Sequence, residues 1–326
     1  MGAGSWGTAF SLVLADAGNT VRLWGRRGDL CSTLTRTHEN PDYLPGVLLP
    51  ETISAYEDPA DVLTGAQVVV LVVPSQKLRE NLNGWVPLLA PDAVLLSLMK
   101  GVELGTAKRM SEVVAEVTGA APARIAVLSG PNLSHEIAQR QPAATVVAAA
   151  DEQVAASLQR LCHTATFRPY TNTDVIGCEL GGAVKNVIAL AVGMARGLGF
   201  GDNATASVIT RGLAETGRLA VAAGADPMTL AGLAGLGDLV ATCSSSLSRN
   251  RAFGERLGVG MSVDEVVAST RQVAEGVKSC ESLRELAARH GVEMPIVEHV
   301  SGVVRGELTP DLMLKSLISR TAKSER

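Results

Sequence analysis

Through the first half of the chain, short apolar runs rich in β-branched residues alternate with longer stretches whose apolar positions recur every three or four residues. The runs are Val21–Trp24, Val68–Val73, Val94–Met99, Ile125–Ser129 and Thr145–Ala149. Val68–Val73 reads VVVLVV, apolar at every position, as a strand covered on both faces of a parallel sheet must be. Strands separated by helical stretches predict βαβ units, hence an α/β domain with a doubly wound sheet. After Tyr170 the rhythm stops. Val184, Val187, Ile188, Ala191, Val192, Ala195 and Leu198 recur at helical spacing, and further helices are predicted near Thr205–Ala223, Arg249–Leu257, Val263–Ser269, Cys280–His290 and Ile296–Arg305. The second half therefore reads as all-α. The pattern changes around 171–174, which predicts one domain over 1–172 and a second over 173–326.

Composition narrows the class. A chain of 326 residues, 46% hydrophobic and 19% charged, is large enough for two cores and too apolar to be disordered. A net charge of −4 with no basic run argues against nucleic acid as the main partner. Cys31, Cys162, Cys178, Cys243 and Cys280 are scattered, without a C-x-x-C pair, as in a reduced cytoplasmic protein whose cysteines are small core residues. The five histidines show no metal-ligand spacing, so no metal site is predicted. No apolar stretch reaches the roughly 18 residues of a membrane span, and no secretory leader is visible.

The first candidate chemistry is Gly2-Ala3-Gly4-Ser5-Trp6-Gly7, a G-x-G-x-x-G turn ahead of a helix predicted over Ala9–Ala17. Glycine at 2, 4 and 7 lets backbone approach a pyrophosphate, and the helix N-terminus faces its charge. The motif normally follows a strand, yet Met1 abuts Gly2. The reading is therefore a Rossmann-type sheet whose first strand, roughly 5–10 residues, is absent from this sequence. An acidic residue is expected about 20 residues after the glycines if the cofactor is NAD. Trp24-Gly25-Arg26-Arg27 stands there instead, and two guanidinium groups suit a 2′-phosphate. NADP(H) is favoured, with NAD(H) as the alternative; a solvated arginine pair is the non-functional reading.

Three segments gather ionisable groups in apolar or glycine-rich surroundings. Lys100 follows an apolar run, at the strand end where open α/β sheets bind ligands. Lys185, in Gly181-Gly182-Ala183-Val184-Lys185-Asn186, lies among small apolar residues, where desolvation makes an amine usable as a proton donor or acceptor; a snorkelling lysine is the alternative. Gly181, one turn earlier, leaves room for a ligand or another backbone. Gly237-Asp238-Leu239 precedes Ser248-Arg249-Asn250-Arg251, in which Ser248 is a candidate N-cap. Arg249 and Asn250 then fall in a first helical turn, where cations oppose the dipole unless an anion such as phosphate is bound.

Taken in order, GAGSWG, LWGRR, MKG, SGP, GGAVKN, ITRGLAE, GLGDL, SRNR and VAEG resemble the bacterial NAD(P)-dependent glycerol-3-phosphate dehydrogenases along nearly the whole chain. The resemblance implies a Rossmann domain, a helical second domain of the 6-phosphogluconate dehydrogenase type, and interconversion of dihydroxyacetone phosphate and sn-glycerol 3-phosphate for phospholipid synthesis. By position it implies Lys185 as the catalytic proton donor and acceptor, Asp238 as its orienting partner, and Asn186 and Thr242 nearby. Lys100 would contact substrate and cofactor, and Gly130, Asn132, Ser248, Arg249 and Asn250 the substrate, Arg249 also reaching the cofactor. Ser5, Trp6, Arg26, Arg27, Ser134, Val273 and Glu275 are the implied nucleotide contacts, and a homodimer is the implied assembly. The family usually reads Ser-Gly-Pro-Thr/Ser-Phe-Ala where this chain has Ser129-Gly130-Pro131-Asn132-Leu133-Ser134. A sibling hydroxy-acid dehydrogenase, a non-catalytic dinucleotide-binding protein, and a fragment inactivated by the absent strand are the rival readings.

Overall fold

A computed structural model describes residues 1–269 and 274–319. Two compact units emerge: Met1–Glu103 with Lys108–Glu179, and Leu104–Ala107 with Leu180 onward. The first contains all nine strands found among the described residues. They are β1 (Val21–Trp24), β2 (Glu39–Asn40), β3 (Leu44–Leu48), β4 (Ile53–Tyr56), β5 (Val68–Leu71), β6 (Val94–Ser97), β7 (Ile125–Ser129), β8 (Ala143–Ala149) and β9 (Phe167–Asn172).

The main sheet has the order β5-β6-β7-β8-β9. β5, β6 and β7 run parallel, β8 is antiparallel to β7, and β9 is parallel to β8. The sheet is thus not wholly parallel, because the β7–β8 connection holds only the five-residue helix Ser134–Ala138, too short to carry the chain back along the sheet. Alternate side chains of the central strands enter opposite cores. Leu71 and Leu95 pack with Leu78, Leu82, Met110 and Val113 on one face. Leu96 and Leu128 pack with Phe10, Leu158 and Phe167 on the other. That is the physical origin of the unbroken VVVLVV run.

β1 pairs only with β4, in a separate two-stranded sheet. Met1 and Gly2 join the two sheets. The Met1 amine donates to the Val70 carbonyl at 2.8 Å, Val72 N–H to Met1 O at 3.0 Å, and Gly2 N–H to Trp24 O at 3.0 Å.

The helix Val175–Gly197 carries the chain out of the first unit. It starts well before the apolar periodicity that predicts it. At its beginning the buried Glu179 carboxylate accepts from Arg109 at 2.6 Å and from the Ser111 amide and hydroxyl at 2.8 and 2.6 Å. At 23 residues this helix is long and apolar enough to span a bilayer, correcting the expectation that no stretch would be. Its most apolar window is, however, 89% buried inside the protein, so its apolarity is spent on packing. All five cysteines are buried. Burial pushes the thiols of Cys162, Cys178, Cys243 and Cys280 up to about 12, consistent with inert core residues.

In the second unit this helix meets the helix Arg249–Gly258 through facing glycines. A Cβ on Gly193 would lie 2.1 Å from the Arg251 carbonyl oxygen, and one on Gly254 2.1 Å from that of Leu190. Backbone therefore rests on backbone, and the start of the second helix is fixed against Asn186. Gly254→Val should destabilise the protein by about 2 kcal/mol or more, read as a lower urea midpoint. An unchanged midpoint would mean that the helices separate without cost.

Candidate functional site

Within the second unit, the long helix presents Lys185 and Asn186 side by side. Lys185 is only 8% exposed and Asp238 1%. The Lys185 ammonium donates to Asp238 Oδ1 and, at 2.7 Å, to the Thr242 hydroxyl, which itself points to Asp238 at 3.4 Å. The amine does not snorkel to water; a counter-charge and a hydroxyl hold it inside. Asp238 owes its position to an unusual piece of backbone. Leu233–Gly237 is a π turn, closed by Gly237 N–H to the Gly232 carbonyl at 3.1 Å, and Asp238 opens the α-helix Asp238–Ser244. Gly181 receives this turn: a Cβ there would lie 2.5 Å from the Ala234 carbonyl oxygen. The space left at Gly181 is filled by backbone rather than ligand.

A second chain of contacts starts beside the lysine. Asn250 Nδ2 donates to Asn186 Oδ1 at 2.9 Å, and Gly276 N–H donates to Asn250 Oδ1 at 2.9 Å. Ser248 caps the helix Arg249–Gly258, accepting from Arg251 N–H at 3.2 Å. Arg249 stands exposed at that N-terminus while Asn250 is buried, so only the arginine reaches into solvent. Glu275 opens the helix Glu275–Arg289, half-buried, one residue from the Gly276–Asn250 bond.

In the first unit the glycine turn is built for close approach. Gly2 has φ +126°, and a Cβ on it would lie 2.5 Å from Val72 O; one on Gly7 would lie 1.8 Å from Gly2 O. Nothing lies within 4 Å of a Cβ at Gly4, the residue preceding the helix Ser5–Asp16, whose N-terminus has no side-chain cap. Open space before uncapped amides fits a dinucleotide phosphate. Trp6 Nε1 in the same turn is buried without a hydrogen-bond partner. Arg26 is exposed after β1, whereas Arg27 is bound to Asp42 at 2.6 Å and Asp29 at 3.3 Å. Of the two arginines, Arg26 is therefore the more available for a 2′-phosphate. Half-buried Lys100 donates to the Gly130 carbonyl at 3.1 Å, and Asn132 Nδ2 to the Thr145 hydroxyl at 3.1 Å.

Residues 1–155 match the family model described as NAD-dependent glycerol-3-phosphate dehydrogenase N-terminus, and 174–315 the one described as its C-terminus. The chain belongs to the NAD-dependent glycerol-3-phosphate dehydrogenase family. Among curated relatives named glycerol-3-phosphate dehydrogenase [NAD(P)+], that of Streptomyces griseus is 63% identical over 325 residues, covering 100% of this chain and 97% of the relative. That of Corynebacterium glutamicum is 56% identical over 326 residues, with 100% and 98% covered. A solved glycerol-3-phosphate dehydrogenase from Coxiella burnetii is 40% identical with a TM-score of 0.94, covering 98% of this chain and 97% of its own. A Ralstonia eutropha ketopantoate reductase, at 18% identity and a TM-score of 0.60 over 96% and 98% of the two chains, shares the fold alone.

Within this family frame, the second unit brings together Lys185, Asn186, Asp238, Thr242, Ser248 and Asn250. The first brings together Lys100, Gly130 and Asn132, and separately Gly2, Gly4, Ser5, Trp6 and Gly7. Ser134 opens the short Ser134–Ala138 helix beside Asn132. Val273 lies outside the described residues. Sequence reasoning overlooked Asp42, Thr145 and Gly276. Their partners are distant in sequence, and no local spacing marks them. The buried pair also carries a stability cost if broken: Asp238→Ala should destabilise the enzyme by about 3–5 kcal/mol by stranding a buried ammonium. A thermal melt matching wild type would mean that Lys185 reaches water without its partner.

Proposed function

We propose that this chain is a glycerol-3-phosphate dehydrogenase using NADP(H), with NAD(H) as a second cofactor, and that it interconverts dihydroxyacetone phosphate and sn-glycerol 3-phosphate. The observation that carries the mechanism is the buried Lys185 ammonium held by Asp238 and Thr242, within a chain that matches the family along almost its whole length. The first unit would hold the cofactor and the second the proton-transfer group. A cytoplasmic homodimer, supplying the glycerol phosphate backbone of phospholipids, completes the reading.

When bound, the dinucleotide supplies or accepts the hydride at C2 of the substrate. Gly2, Gly4, Ser5, Trp6 and Gly7 would cradle its phosphates, Arg26 and Arg27 its ribose end, and Ser134, Glu275 and Val273 would add contacts. Lys185 protonates the forming alkoxide oxygen in ketone reduction and takes the proton back in alcohol oxidation; its positive charge also stabilises the developing negative oxygen. Asp238 orients the ammonium and keeps its charge compensated, with Thr242 as second acceptor. Asn186, fixed by Asn250, lies beside it. Arg249 draws the substrate phosphate to the Ser248-capped helix start, and that remote grip provides binding energy that orients C2. Lys100, Gly130 and Asn132 are assigned to the rest of the substrate.

The direct test follows NADPH absorbance with dihydroxyacetone phosphate, alongside carboxylated ketones. Lys185→Ala should lower kcat by about 10²–10⁴-fold while NADPH still binds; near-normal turnover would refute the proton-transfer role. Arg26→Glu should move the NADPH:NADH ratio of kcat/KM toward NADH by about tenfold, the worth of one lost charge-assisted contact. An unchanged ratio would make Arg26 mere surface charge.

A further inference from the structure

Thr145, described so far only as the partner of Asn132, also lies against Ser129 and Gly130 of the same loop. It sits on β8, fully buried, beside the end of β7. Its hydroxyl donates to the Ser129 carbonyl at 3.0 Å and accepts from Asn132 Nδ2 at 3.1 Å. A Cβ on Gly130, whose φ is +149°, would lie 3.0 Å from Thr145 Oγ1 and 3.1 Å from its Cα. The Gly130 carbonyl in turn accepts the Lys100 ammonium.

A hydroxyl has one proton to give. Ser129 O can only accept, so the Thr145 proton is committed to it. Toward Asn132 the same oxygen can then only accept, which compels the carboxamide to turn its NH2 group inward. Asn132 Oδ1 is left as the carboxamide's uncommitted acceptor. That oxygen is buried and has no hydrogen-bond partner, as is the neighbouring Ser129 Oγ. A buried acceptor left unpaired is costly, so it calls for a donor from outside the protein.

Resting on the function proposed above, we infer that Thr145 is a positioning residue that sets the hydrogen-bond polarity of the substrate loop, so that Asn132 offers an acceptor to an alcohol hydroxyl of the substrate. The same contact explains why residue 130 is glycine: the loop is drawn so close to β8 that a side chain has no place.

Steady-state kinetics with sn-glycerol 3-phosphate and NADP+ tests this. Thr145→Val keeps the shape and removes the hydroxyl. It should lower kcat/KM for sn-glycerol 3-phosphate about tenfold and leave the KM for NADP+ unchanged, while Thr145→Ser restores activity. In combination with Asn132→Ala, Thr145→Val should add almost nothing, since both remove one interaction. Wild-type kcat/KM in Thr145→Val, a loss that serine does not rescue, an equal loss toward cofactor, or full additivity with Asn132→Ala would each overturn the inference. If Thr145→Val fails to fold, Asn132→Ala decides alone: an unchanged KM for sn-glycerol 3-phosphate overturns it, and a raised one supports it. Failure of the wild-type enzyme to oxidise sn-glycerol 3-phosphate would instead refute the functional reading on which it rests.

Discussion

A positive charge inside an apolar helix is the constraint around which the second unit is arranged. Val184, Val187 and Ile188 around Lys185 are fully buried and Lys185 itself is nearly so, which leaves little water to solvate its ammonium. Leaving that charge unpaired would cost about 3–5 kcal/mol, a large share of a domain's margin of stability. Asp238 and Thr242 replace the lost water, but only because another segment delivers them to within bonding distance. The requirement explains features that otherwise look unrelated. Gly181 is small because the Asp238-bearing backbone must rest on it.

Much of this is legible in the amino-acid sequence. Strand residues announced themselves where both faces are covered, since β5 and β6 feed two cores and Ser97, at the end of β6, is their one polar position. Lys185 stood out as a charge in a small apolar run, and Ser248 as a cap, because both signals are local. The rest was hidden for physical reasons. β4 buries only Ile53, and β9 carries a proline and ends in the polar Thr171 and Asn172, so neither reads as an apolar run. The reversal of β8 follows from the short β7–β8 connection, which reads equally well as a loop in a parallel sheet. The long helix starts at Val175, through glycines that lower helix propensity, because tertiary packing overrides that preference.

Site contacts made across long sequence separations left no trace at all in the pattern. Asn250 looked like a phosphate ligand beside Arg249, yet its amide bonds Asn186 and the Gly276 backbone. It ties three elements together: the helix bearing the lysine, the capped helix start, and the helix opened by Glu275. Arg27, likewise, looked equivalent to Arg26 until Asp42 appeared beside it. Adjacent residues of one type can thus divide the work, one anchored and one available to solvent.

The π turn at Leu233–Gly237 carries a further implication for how such a chain can change. It holds one more residue than an α-helical turn of the same reach, as its bond from residue 237 to 232 shows. Removing one residue there would restore a regular helix and swing every downstream side chain by about 100° around the axis. Asp238 would then leave Lys185 while the helix itself survived. The irregular turn is therefore a frame-setter, and length variation in this enzyme is far safer in its loops than in the stretch that aims Asp238.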